Sequence, residues 1–139
     1  MIDIDNQTFF KIDEPFLESL VADMTQKDIE LIVTTDEAIQ ELNKEHRDID
    51  RATDVLSFPY EDMPMVPLGT IVISIDHVRQ KADELGHTED EEFVLLFIHG
   101  MLHLLGYDHE IDSGEMREKE KELIEKYALP KSLIVRTEG

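Results

Sequence analysis

Between Phe93 and Leu105 the chain is apolar on every side of a helix, apart from His99, Gly100 and His103. A helix of this kind has no face to offer water, so it must run through the centre of the molecule with other elements around it. Thr88 and Glu91 form a capping box at its start. The acids Glu89 to Glu92 suit the positive end of its dipole. Two imidazoles inside such a helix cost free energy unless they find partners. Residues four apart on a helix lie about 40° apart around the axis and about 6 Å apart along it. His99 and His103 therefore project from one face, close enough to share an ion. Gly106 permits the positive φ of a helix end, and the turn there would bring His109 back toward the first two. Three of the six histidines fall between His99 and His109. Three imidazoles converging on one ion, with a fourth position for water, make a catalytic zinc-type site.

The pattern H-x-x-x-H-x-x-G-x-x-H follows the backbone plan of the metzincin peptidases, but Gly100 stands where those enzymes carry a glutamate as general base. Glycine costs about 1 kcal/mol relative to alanine inside a helix. The gain expected here is space beside His99, which suits a bulky phosphodiester. Phosphodiester hydrolysis depends on stabilising charge on phosphoryl oxygens, a task for a metal ion and an arginine. A histidine ligand needs an acceptor for its second ring nitrogen. Asp108 and Glu110, beside His109, are the candidates. Three imidazoles accept zinc, nickel or cobalt.

With 139 residues the chain is expected to form one domain, 1–139, with a core of useful size. It has no cysteine, which excludes thiolate ligands and fits a reducing cytoplasm. No signal peptide is expected from the opening Met-Ile-Asp-Ile-Asp, and no apolar run is long enough for a membrane span. The formal net charge of −20 argues against a nucleic-acid partner, because phosphate binding needs cations. Net charge does not report local charge, and a metal with one or two arginines would make a cationic cleft in an acidic protein.

The remaining elements follow from pattern. Met1 to Lys11 alternates weakly and reads as a strand. Pro15 suits the first turn of a helix through Met24. Asp28–Thr35 is β-branched and reads as a strand. Thr34 and Glu37 suggest a capping box for a helix over about Asp36 to His46. Thr53–Phe58 is a strand that Pro59 ends or marks as an edge. Gly69–Ile75 is the strongest strand, and Asp76 caps a helix closed by Gly86. A last helix begins near Asp112 or Ser113 and ends before Pro130. Its alternating charges, Glu118 to Glu122, read as a solvated face. The order β-α-β-α-β-β-α-α-α implies an α/β fold, a small and mostly parallel mixed sheet of about four strands packed by about five helices. The second and third strands, joined by a helix, suggest a parallel pair. The metal site lies on the buried central helix and the turn after it.

The segment His99-Gly-Met-Leu-His-Leu-Leu-Gly-Tyr-Asp-His109 resembles the hallmark of the YbeY family of bacterial endoribonucleases, also described as ribosomal RNA maturation factors. Leu42-Asn43, Arg47 and Thr53-Asp-Val-Leu-Ser-Phe-Pro59 are similar to a second block of that family. Gly69–Ser74, Gly86-His87, and Met116 with the Glu-rich helix after it also fit. The resemblance implies a zinc-bound α/β enzyme that processes single-stranded RNA ends, notably small-subunit ribosomal RNA, and serves ribosome quality control. It implies small-subunit proteins or assembly factors as partners. It makes Arg47 the functional arginine, suited to phosphate by its planar fork and fixed charge. It places Ser57 and Phe58 beside the metal cleft, where Phe58 could stack a base. Two positions depart from the family pattern: Thr70 where Asp is usual, and Ala52 where Pro is common. The competing readings are a metzincin-like peptidase or amidase, and a ribosome-assembly factor with a structural metal.

Overall fold

The computed structural model describes residues 2–61, 63–107, 115–127 and 129. Its elements run β1 (Ile2–Asn6), α1 (Glu14–Met24), β2 (Ile29–Thr34), α2 (Asp36–Arg47), β3 (Val55–Pro59), β4 (Gly69–Ser74), α3 (Ile75–Leu85), α4 (Glu89–Leu104) and α5 (Glu115–Lys126). The four strands form one sheet in the order β1-β2-β4-β3. β1 and β4 both pair parallel to β2. β3 lies antiparallel on β4, with Ser57 opposite Ile71. The fold is thus the mixed α/β architecture expected, with one correction. β2 and β3 are not a parallel pair. β4 inserts between them, and β3 closes the edge. The segment from Tyr60 to Leu68 turns the chain back into β4, and a backbone bond from Tyr60 N–H to Leu68 O closes that turn. Pro59, which cannot donate to a ladder, sits at the end of this edge strand.

β4 explains the layering. All its residues are buried, as a strand with neighbours on both edges and cover on both faces requires. Ile71 and Ile73 point into the larger core, together with Leu31 and Val33 of β2, Leu17, Leu20 and Val21 of α1, and Phe97, Ile98 and Met101 of α4. Val72 points to the other face, where Ile39 of α2 and Leu56 of β3 form a smaller cluster. Helix α4 lies on the first face with α3 and α5 against it. Leu95, Phe97, Ile98, Met101 and Leu102 are fully shielded from solvent, each burial being worth about 2 kcal/mol before entropy is set against it. The central position of α4 is what its all-round apolarity requires.

Both ends of α4 are built as its sequence suggests. Thr88 Oγ1 accepts from Glu91 N–H at 3.0 Å, and Glu91 Oε1 accepts from Thr88 N–H at 2.9 Å. At the other end Gly106 takes φ +98°. Gly106 N–H donates to His103 O and Tyr107 N–H donates to Leu102 O, the paired bonds of a Schellman motif.

Three local expectations are corrected. Thr34 does not cap α2: its hydroxyl donates to Gln7 Oε1 at 2.7 Å, and Thr35 is the N-cap residue. Asp76 does not cap its own helix, which starts after Ser74. Its carboxylate instead accepts from Asp36 N–H at 2.9 Å, so α3 caps the start of α2. The alternating charges of α5 do not all face solvent. Met116, Glu120, Leu123 and Ile124 are buried. Their spacing of four, three and one is that of a helix face turned to the core. The proposed start near Asp112 or Ser113 and the stop at Pro130 lie outside the described residues.

Candidate active site

A cleft of about 600 Å³ opens between α2, β3 and the C-terminal end of α4. Arg47, Asp54, Ser57, His99, His103 and Tyr107 are among the residues that line it. Arg47 arrives as the last residue of α2, where Asp48 takes a left-handed conformation and ends the helix. The residue is exposed. The helix C-terminus favours a cation there in any case, but the residue also borders the cleft. His99 and His103 enter from the opposite wall, one helical turn apart.

The two imidazoles stand edge to face, with ring centroids 4.6 Å apart. Nε2 of His99 lies 3.1 Å from Nε2 of His103. Two nitrogens bound to one tetrahedral zinc at about 2.1 Å stand about 3.4 Å apart. The observed separation therefore fits two ligands of one ion. Behind His99, Nδ1 lies 3.2 Å from Oε1 of Glu120 on α5. A carboxylate behind a histidine is the usual companion of a metal ligand. Among the described residues no group of three or more His, Cys, Asp or Glu could hold a metal ion. His109 and Asp108 lie outside those residues, as does Glu110.

Ser57 borders the cleft, and its hydroxyl donates to Gly100 O at 3.3 Å. Phe58 does not border it. It points to the opposite face of β3, against the Ile39, Leu56 and Val72 cluster, with its ring centroid 5.1 Å from that of His46. Alternation along a strand makes this necessary: if Ser57 faces α4, Phe58 cannot. Among the described residues the aromatic ring at the cleft is Tyr107, which follows Gly106 directly and was part of the motif all along.

Gly100 also has a different purpose from the one expected. A Cβ there would lie 3.0 Å from Ile71 Cγ2 and 3.2 Å from Ser57 Oγ. The missing side chain gives room to the sheet, not to a metal-bound group. It lets α4 settle on β3 and β4 and so fixes the height of His99 over the cleft.

Thr70, at the position departing from the family pattern, pairs in register with Glu30. Its hydroxyl donates to Glu30 Oε2 at 3.1 Å and lies 2.5 Å from the Tyr60 hydroxyl. An aspartate here would face a carboxylate directly across the ladder, which is unfavourable. Threonine instead supplies a donor to that carboxylate.

A family model described as Endoribonuclease YbeY matches residues 2–128. The chain belongs to that family. An endoribonuclease YbeY of Aliarcobacter butzleri is 62% identical over 138 residues, covering 98% of this chain and 99% of that protein. The endoribonuclease YbeY of Sulfurimonas denitrificans is 58% identical over 139 residues, covering 100% of both. A solution structure of a Thermotoga maritima protein superposes with a TM-score of 0.67 at 34% identity, covering 91% of this chain and 88% of that one. Family membership makes the chain a hydrolytic nuclease with RNA as its substrate class. Among the described residues, the sequence reading missed the wholly buried Glu120 behind His99. Its signal was present: within the charged run it alone falls in line with Met116, Leu123 and Ile124.

Proposed function

We propose that the chain is a metal-dependent endoribonuclease that cuts single-stranded RNA in the cytoplasm. Its proposed substrate is ribosomal RNA near the small-subunit 3′ end, in maturation and quality control, with small-subunit proteins or assembly factors as partners. One observation carries this reading: Arg47 from α2 and the His99–His103 pair from α4 border a single cleft.

Charge in the cleft supports a cation there. Among the described residues that line it, the two formally charged ones, Arg47 and Asp54, cancel, in a chain of net charge −20. A phosphodiester would find no net attraction without a further positive charge. His99 and His103 would hold a divalent ion, zinc first among the choices open to imidazole, with His109 as the third ligand. When bound, the ion supplies Lewis acidity and a water acidified toward neutral pH.

The chain's own residues do the rest. Arg47 offers a planar fork to the non-bridging phosphate oxygens and stabilises their charge as it grows in the transition state. Ser57 is held to Gly100 O and forms wall, not nucleophile. Tyr107 offers a ring face on which an unpaired base can stack. Stacking of that kind needs a splayed strand, which selects single-stranded RNA over duplex.

Arg47→Ala is the direct test. The variant should retain full zinc content by elemental analysis and cleave a single-stranded RNA about 100-fold more slowly, the effect of removing one charge-stabilising donor. Wild-type cleavage rates at full zinc content would remove Arg47 from the reaction.

A further inference from the structure

We propose that Glu120 is a positioning residue: it fixes the tautomer and orientation of His99 as a metal ligand, at the expense of the stability of the metal-free fold. This inference rests on the metal reading above. The Glu120 side chain is fully buried on the core face of α5, in line with Met116, Leu123 and Ile124. A carboxylate in that setting is costly unless hydrogen bonds and opposite charge offset its lost hydration. Among the described residues only half of it is served: Oε1 faces His99 Nδ1 at 3.2 Å, and Oε2 has no hydrogen-bond partner. A leucine would suit this core position better. What the glutamate does provide is an acceptor for the Nδ1 proton of His99. A neutral imidazole that donates from Nδ1 presents a lone pair at Nε2. That Nε2 is the nitrogen directed at His103 Nε2, 3.1 Å away at the cleft. A cation held there would also offset the buried negative charge through the imidazole between them.

The test compares Glu120→Leu, Glu120→Gln and the full-length wild type. Each is stripped with chelator, melted in the metal-free state, then titrated with zinc against a competing fluorescent chelator. E120L should melt at or above the wild-type temperature without metal and bind zinc 10–100-fold more weakly, the usual loss when a carboxylate behind a histidine ligand is removed. E120Q, whose amide oxygen can still accept from Nδ1, should fall between the two. Wild-type zinc affinity in both variants would overturn the proposal. So would a metal-free E120L that fails to fold or melts well below wild type, since the carboxylate would then be serving the core. If the wild type itself takes up no zinc, the metal reading falls and this inference with it, which separates the two failures.

Discussion

Among the described residues two histidines are backed by a fully buried glutamate, one toward each end of α4. His87 Nε2 lies 2.8 Å from Glu92 Oε1, and the histidine is only 7% exposed. His99 Nδ1 lies 3.2 Å from Glu120 Oε1, and the histidine is 20% exposed. The first pair joins residues five apart and clips the turn between α3 and α4. The second joins residues 21 apart in sequence, reaches from α5 to α4, and leaves its other ring nitrogen at a cleft beside a second imidazole. A buried imidazole–carboxylate pair is therefore not a mark of function. Solvent access and the company kept by the second nitrogen decide it.

The largest effect expected from that difference is at His103. His103→Ala leaves the His87–Glu92 clip untouched and removes the nitrogen opposite His99. Zinc content should fall to background and RNA cleavage should drop by at least about 10³-fold, because the activated water goes with the ion. The zinc-dependent gain in melting temperature should vanish too. For the wild type that gain corresponds to about 2.7 kcal/mol at a hundredfold excess over Kd. Full zinc occupancy in the variant would mean that the two cleft imidazoles bond to each other rather than to an ion.

Glu92→Ala breaks the comparison from the other side. It leaves His87 buried without its carboxylate, and removing one partner of a buried pair costs about 3 kcal/mol. Denaturant unfolding should show that loss, while zinc affinity stays at the wild-type value. A matching fall in zinc affinity would show that the two ends of α4 are coupled and that the clip belongs to the site.

What could be read from the sequence follows the same division. Local chemistry was legible: the capping box of Thr88 and Glu91, the Gly106 turn, the i, i+4 histidines and the apolar α4 all depend on neighbours in the chain. Features fixed by distant segments were not. Glu92 read as one of four acids at a helix start, because its partner His87 was not expected to be buried. Glu120 read as a solvated charge, because α5 shows its apolar stripe only once Met116 is counted with Leu123 and Ile124. β3 read as a parallel neighbour of β2, because only the later arrival of β4 displaces it to the edge. Gly100 was rightly singled out but given the wrong neighbour, since nothing in the chain says that Ile71 lies beneath it.

The smallest expected effect concerns how α5 is held in place to bring Glu120 to His99. Asp23 at the end of α1 accepts from Lys126 Nζ at 2.7 Å and from the Tyr127 hydroxyl. The Lys126 ammonium, then the Tyr127 hydroxyl, hold the Asp23 carboxyl below its usual value. Asp23 in turn raises Lys126, and burial followed by the Asp23 hydrogen bond raises Tyr127. A carboxyl lowered by folding stabilises the fold above its unfolded pKa of about 4 and loses that contribution as pH falls through the folded value. The two raised groups act at the other limb, contributing below their unfolded values of about 10 and losing that contribution as pH rises through the folded ones. Asp23→Asn should therefore lower the melting temperature slightly at neutral pH, with the difference from wild type shrinking below about pH 4 and again above about pH 10. Asp23 and Lys126 are exposed, so the difference should also shrink in high salt. Zinc affinity at neutral pH should not change, because the buried contacts of Met116 and Leu123 seat α5 without the surface link. A weaker zinc site in Asp23→Asn would show instead that the exposed carboxylate, and not the core, sets the distance between Glu120 and His99.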